Sequence, residues 1–511
     1  MPKYILHFAS THHDFHRAEL AAMARMSGLT QLEWHHYEPS TSPYAVVTLP
    51  SDAAAASLVS RAVLIKAAYR LWASAPTYPE LHDAVRTYVA NELPTEEHAR
   101  CKSESFKFTV DVFNYGRTHD QKLEIMHEFI TYLDWQGEID LKAPAIEYMI
   151  LEAWDPPHTM PEQRLLETHF GVMVGTSSRS AFDKFNLKRR KYLGTTSMDP
   201  ELSLVMANMA QVRPGSLVYD PFTGTGSFLV TAAHFGGVTV GSDIDGRQIR
   251  GTGKGNARSG AAGTGSVFDN IDQYGCADRV LDCLVFDVAQ HPWRDNGGLG
   301  LFDAIVTDPP YGVRAGAKKI GGTRPVHPFA SSKTPSEPSA AAAAAGGPAH
   351  GMGRFPVTVP YDLDAVISDL TAFAARNLVL GGRITYWLPT VKSEYHPSDI
   401  PMHPSLDLES NCEQPFGNWS RRLITLVKAR PWVDGQAIAA SGLLGAKLDK
   451  IGGGGSEEMA HDLEMAASAS REASSKASKA RNETGHGKFR EKYFEPRRAA
   501  STTSPSSTVD M

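Results

Sequence analysis

Two short stretches of this 511-residue chain hold residues whose types and spacing could do chemistry. The first is "DPFTGTGSF", Asp220 to Phe228. Gly224 and Gly226 allow a sharp turn and close approach of backbone to a ligand. A helix opening directly behind them would present free N–H groups to an anion. The spacing is not that of a GxGxxG dinucleotide loop, since Leu229 takes the third glycine's place, and no GK[ST] of a nucleoside-triphosphate loop is present. Asp220, just ahead of the glycines, could hold an ammonium while the amides hold a carboxylate. An amino acid carries both charges, and S-adenosylmethionine is an amino acid joined to a nucleoside. Asp243, at the end of "VTVGSDID", stands where an acid of a doubly wound sheet takes ribose hydroxyls. Asp287, at the end of "LVFDV", stands where an adenine edge would lie. Phe222 and Thr223 complete the candidate cofactor set.

The second stretch is "VTDPPYG", with Asp308, Pro309, Pro310 and Tyr311 at a predicted strand end. An exocyclic amine of a nucleobase is a poor nucleophile, because its lone pair is delocalised into the ring. A carboxylate and a main-chain carbonyl that both accept from that amine would align it for attack. Proline's locked φ would hold such a carbonyl in place, and acceptors fixed in advance favour the charge developing on nitrogen. Tyr311 could stack on a base turned out of its helix. Asp308 is also the candidate proton acceptor. The pair of stretches therefore points to methyl transfer onto an exocyclic amine.

These residues need a scaffold that delivers strand ends to one edge. From Gly215 the chain reads as strand–turn–helix repeats, the pattern of a doubly wound, mostly parallel sheet. The beats are "SLVYDPFTGTGSFLVTAAHFG", "VTVGSDID", "LDCLVFDV", "FDAIVTDPPYG", "DLDAVISDLTAFAARNLVLGGRITYWLP" and "SRRLITLVKA". Asp199 and Pro200 supply an N-cap and first-turn proline for the helix before them. The front half reads as α+β, with strands at "KYILHFA", "YAVVTLP" and "APAIEYMILEAW" and helices at "DFHRAELAAMARMSG" and "QKLEIMHEFITYL".

The expected domains are 1–88, 89–175, a basic linker 176–199, the doubly wound domain 200–432, and a mostly disordered tail 433–511. Residues 323–358, rich in Pro, Ser, Ala and Gly, read as a disordered insertion within the fourth unit. The glycine-rich "GRQIRGTGKGNARSGAAGTG" predicts a short or broken second helix.

Composition limits the class of protein. The apolar fraction is 42% and the net charge −6, so nucleic-acid binding would rest on local basic patches rather than overall charge. No apolar run approaches the roughly 18–20 residues of a membrane span, and the start lacks the n- and h-regions of a signal peptide. Cys101, Cys276, Cys283 and Cys412 lie far apart without metal-ligand spacing. The expectation is a reduced, cytoplasmic protein with no metal site of its own.

The motifs also carry a resemblance. "NLKRRKYLGTTSMDPELSLVMANMA", "LVYDPFTGTGSFLV", "GSDID", "TDPPYGVRAGAKKIG", "NCEQPFGNWSRRLITL" and "GKFREKYFE" follow in the order of the eukaryotic tRNA (guanine-10-N2)-methyltransferase catalytic subunits, which this sequence resembles. The front half is similar to that family's ferredoxin-like domain (1–88) and THUMP domain (89–175). The resemblance implies a class I Rossmann-like methyltransferase that moves one methyl from S-adenosylmethionine to N2 of guanosine 10 of tRNA. It implies a small zinc-binding activator as partner. By position, Asp220, Phe222, Thr223, Gly224, Gly226, Asp243 and Asp287 would line the cofactor site, and Asp308, Pro309, Pro310 and Tyr311 would hold the guanine. Lys188, Arg189, Arg190, Lys191, Arg314, Lys318 and Lys319 would meet tRNA phosphates. Two other readings stand beside it: an amino-methyltransferase acting on DNA adenine or another RNA guanine, and a tRNA-binding scaffold without catalysis.

Overall fold

The computed structural model describes residues 1–29, 32–157, 162–194, 197–251, 256–257, 265–310, 318–321, 358–417 and 419–436. The expected disordered insertion and tail, and the "GKFREKYFE" element, lie outside these residues, apart from Thr358 and the first residues of the tail. Among the described residues, no helix is long and apolar enough to cross a membrane. No group of three or more metal-ligating side chains occurs there, and all four cysteines are buried and free.

The front half forms one seven-stranded sheet from β1 (Lys3–Phe8), β2 (Glu33–His36), β3 (Tyr44–Thr48), β4 (Ile65–Ala75), β5 (Phe106–Phe113), β6 (Ile146–Trp154) and β7 (Leu165–Thr176). Their order is β2-β3-β1-β4-β7-β6-β5. Period-two patterning builds it: in β5, Phe106, Phe108 and Val110 face the core while Lys107 and Thr109 are half-buried. The helix His119–Leu133 starts with a Thr118–Gln121 capping box and buries Ile125, Phe129 and Leu133, one face at four-residue spacing. The sheet curls, for His7 on β1 and Asp111 on β5 approach to 3.6 Å although three strands separate them. The boundary expected at 88 falls inside the helix Tyr78–Asn91, and the β4–β7 pairing runs through both parts.

Next come β8 (Tyr192–Leu193), β9 (Leu217–Asp220), β10 (Val238–Asp243), β11 (Asn256–Ala257), β12 (Val280–Val285), β13 (Phe302–Thr307), β14 (Lys318–Ile320), β15 (Thr358–Pro360), β16 (Leu378–Val391), β17 (Leu406–Phe416) and β18 (Trp419–Lys428). The second seven-stranded sheet has the order β12-β10-β9-β13-β16-β18-β17. Six strands point the same way, and β18 runs antiparallel between β16 and β17. The order reverses between β9 and β13, and ligands of open α/β sheets bind at the carboxyl ends of strands beside such a switch. The strands that lead into Asp220 and Asp308 are those two. The helix after β10 covers only Gly246–Ile249, in keeping with the glycine-rich sequence that follows it.

The two sheets are joined through the helix Pro200–Met209, of which every residue but Glu201 is buried. Phe15, Val63 and Leu64 of the front half belong to the same apolar cluster as Leu202, Val205, Met206 and Trp387. A polar lock lies inside this contact. The fully buried Glu19 carboxylate accepts from the Val63 and Leu64 amides (2.9 and 2.8 Å) and from Asn208 Nδ2 (2.7 Å). Arg61 donates to Asn208 Oδ1 (2.9 Å) and the Val212 carbonyl (2.7 Å). The second sheet therefore meets the curled sheet through both apolar and hydrogen-bonded contacts.

Candidate active site

β9 ends at Asp220, and the chain turns through Phe222 to Gly226 before the helix Ser227–His234. The turn is pinned from below: Thr223 N donates to the Ser242 carbonyl (2.9 Å), Thr223 Oγ1 to the Asp220 carbonyl (3.0 Å), and Gly224 N to Asp243 Oδ2 (2.9 Å). Gly226 has φ +82°, and a Cβ there would sit 2.6 Å from Val267 Cγ2, so glycine is required twice over. Gly241 serves the same turn, since its Cβ would stand 2.3 Å from Thr223 Oγ1. No side chain caps the helix at Gly226, which leaves its first amides open.

Asp220 is the most informative residue of the site. It is 1% exposed, and its Oδ1 accepts from the Phe222 amide (3.1 Å) and the Thr307 hydroxyl (2.7 Å). Its Oδ2 is buried without a partner. Burial pushes the carboxyl up to about 8; Thr307 and Phe222 act against this, and the nearby Asp243 and Asp308 add to it. A buried oxygen left open opposite an uncapped helix fits the ammonium of an amino-acid ligand whose carboxylate faces the amides. The residues present therefore fit S-adenosylmethionine.

Asp243 accepts from Gly224 N through one oxygen and from Asp245 N (2.8 Å) through the other, and burial raises its carboxyl to about 6. It lies at the carboxyl end of β10, next to the loop. Asp287 is 2% exposed and accepts from Ala289 N (2.9 Å) and Ile320 N (2.7 Å). Both of its oxygens thus hold backbone, and it ties the β14–β15 hairpin to the strand ends.

Asp308, Pro309 and Pro310 follow β13 directly, with Asp308 half-buried and next to Thr307. Thr307 links the two motifs: its hydroxyl donates to Asp220, and the next residue is Asp308. Nothing but adjacency to "DPPY" could have marked it in the sequence. Tyr311 and Arg314 lie outside the described residues.

The basic residues divide. Lys188, Arg189 and Lys191 are exposed, and Lys318 is exposed at the start of β14. Lys319 lies over the Tyr361 ring at 4.7 Å. Arg190 needs correcting: it is 1% exposed, packed behind the glycine loop, and cannot meet a tRNA phosphate. The turn Leu187–Arg189 directs its neighbours outward and Arg190 inward.

The sheet order, the pinned glycine loop and the acid–proline–proline turn at the switch point define a class I Rossmann-like, S-adenosylmethionine-dependent methyltransferase. Comparison with known proteins agrees. Residues 2–179 match the Tmrp11 THUMP N-terminal domain family, and residues 188–323 match the RMKL-like methyltransferase domain family. The chain is 34% identical over 428 residues to the tRNA (guanine(10)-N(2))-methyltransferase of Saccharomyces cerevisiae, covering 84% of this chain and 93% of that one. It is 36% identical to the Schizosaccharomyces pombe enzyme of the same name, covering 83% and 89%, and 32% identical to the human one, covering 84% and 88%. Among solved structures, TrmN from Thermus thermophilus is similar at 16% identity and a TM-score of 0.39, covering 83% of this chain and 99% of that one. The chain belongs to the tRNA (guanine(10)-N(2))-methyltransferase family.

Proposed function

We propose that this protein methylates the exocyclic N2 amine of guanosine 10 in tRNA. The observation that carries this reading is Asp220, whose Oδ2 is open while its Oδ1 accepts from Thr307, the last residue of the strand that leads into Asp308. Asp220 would hold the ammonium of S-adenosylmethionine, the amides behind Gly226 its carboxylate, and Asp243 its ribose. Asp287 would shape the adenine side through the hairpin it anchors. Bound S-adenosylmethionine supplies an electrophilic methyl on a sulfonium sulfur. Asp308 and the proline-fixed carbonyl would accept from the guanine N2 hydrogens and align its lone pair with that methyl. As the N–C bond forms, the C–S electron pair remains on sulfur. Asp308 or water then takes the proton that N2 loses. Tyr311 would stack on the base.

The residues around 1–88 and 89–175, joined in one curled sheet, would act as a single tRNA-binding unit. Lys188, Arg189, Lys191, Arg314, Lys318 and Lys319 would meet phosphates. The partner would be a small zinc-binding activator. What supports a place for it is β12, an edge strand with Leu281 64% and Val285 45% exposed, which an adjoining strand could cover. Action in the cytoplasm belongs to the same proposal.

Mass spectrometry of tRNA nucleosides after incubation with the co-expressed complex tests the reading. The expected product is N2-methylguanosine mapped to position 10. Methyl found only on DNA adenine, or on a different guanine, would replace this reading with another. No methyl, and no binding of S-adenosylhomocysteine, would leave a scaffold.

A further inference from the structure

The chemistry above makes no use of Arg190, yet it is among the largest fully buried side chains of the protein. Its polar partners are neutral hydroxyls: Ser227 Oγ at 2.7 Å, Tyr274 Oη at 3.3 Å and Thr225 Oγ1 at 3.5 Å. The Tyr274 ring lies 5.6 Å from the guanidinium carbon. Two partly buried arginines are paired with carboxylates instead. Arg117 meets the fully buried Glu152 carboxylate at 3.0 Å, and Arg383 meets Glu409 at 3.0 Å. Among the described residues this buried guanidinium meets only hydroxyls, and it bears a desolvation cost that an anion would offset.

The hydroxyls show from which side that anion comes. An oxygen that accepts from the guanidinium must turn its own proton elsewhere. Thr225 shares a hydrogen bond with Ser197 (2.8 Å), whereas Ser227 stands at the first position of the uncapped helix. The cation behind the loop thus orients the Ser227 hydroxyl as a donor and makes the helix N-terminus more electropositive. We infer that Arg190 is a positioning residue for the cofactor's α-carboxylate, acting through Ser227 rather than on tRNA. This rests on the proposal that the loop receives S-adenosylmethionine.

The test compares two ligands on the co-expressed complex by calorimetry: S-adenosylhomocysteine, which has the carboxylate, and decarboxylated S-adenosylmethionine, which keeps the amine but lacks it. Arg190→Met is expected to weaken the first about 30- to 300-fold and the second less than about 3-fold. Arg190→Lys, which keeps the charge, is expected to return the first to within about 10-fold of the wild type. Ser227→Ala should show the same selectivity between ligands in a smaller measure. Equal weakening of both ligands would mean that Arg190 only braces the loop, and unchanged affinity for both would also overturn the inference. If Arg190→Met does not fold, the same ligand ratio is read from Arg190→Lys and Ser227→Ala, and no selectivity in either refutes it. A wild-type complex that binds neither ligand would instead overturn the cofactor reading, and this inference with it.

Discussion

Asp220→Asn should make the empty protein more stable and take away its cofactor. Asp220 is buried with one oxygen open, and its carboxyl is raised from 3.8 to about 8. A carboxyl whose folded value is raised contributes most to stability below the unfolded value of 3.8. That contribution declines as pH rises and is gone above about 8, where the folded group must itself ionise. At pH 7 the unfolded chain holds an ionised Asp220 and the folded chain a neutral one. Three pH units at about 1.4 kcal/mol each put the cost on the order of 4 kcal/mol. Asparagine removes that cost, and its carbonyl can still accept from Phe222 N and Thr307 Oγ1. Its amide nitrogen would fill the open position unsatisfied, which costs about 1–3 kcal/mol. The net expectation is a gain of about 1–3 kcal/mol, seen as a melting point higher by several degrees for the unliganded complex.

The gain should vanish in ligand. Losing the partner of a buried ammonium costs about 3–5 kcal/mol, so S-adenosylhomocysteine should bind at least about 100-fold more weakly to Asp220→Asn. In the wild type, binding near pH 7 should release close to one proton, because the ammonium selects the ionised carboxylate. Affinity should therefore rise about tenfold per pH unit up to about 8, near which the ligand's own amine starts to lose its proton. Calorimetry in buffers of different ionisation enthalpy measures that proton directly. Asp220→Asn that melts lower than the wild type without ligand, or that keeps its affinity, would refute the reasoning.

Three further outcomes are expected. Asp308→Ala should lower the single-turnover rate of methyl transfer by at least about 100-fold while S-adenosylhomocysteine affinity stays within about 3-fold, which rapid-quench assays and calorimetry measure; a cofactor-binding loss of the same size would place Asp308 on the other side of the site. Glu19→Ala leaves the Val63 and Leu64 amides without their acceptor and Asn208 Nδ2 with only the Arg61 carbonyl, so urea unfolding should show a loss of about 2–4 kcal/mol. Replacing Lys188, Arg189 and Lys191 together by Gln should weaken tRNA binding and reduce the salt slope by about 2–3, leaving cofactor affinity unchanged; an unaltered slope would show that these side chains are merely solvated.

What the sequence made legible was local. "DPFTGTGSF" and "TDPPY" each pack a strand end, a turn and their chemistry into a few consecutive residues, and the strand–turn–helix rhythm placed both on neighbouring strands. What stayed hidden depends on partners far along the chain. Thr307 is an unremarked threonine until folding sets its hydroxyl against Asp220, 87 positions earlier. The β4–β7 pairing, which joins the front half into one sheet, links segments about a hundred residues apart, and no local pattern announces it. Arg190 shows the point most sharply. In the run Lys188–Lys191 four cations look alike, and basic runs are usually solvated. A single turn of 3-10 helix, Leu187–Arg189, sends Arg190 behind the glycine loop while its neighbours stay in water. On the two proposals above, the same run would serve two anions: three exposed side chains for a phosphate backbone, and one buried for the carboxylate end of a small ligand. Charge read along the chain could not separate them, because the separation is made by the turn.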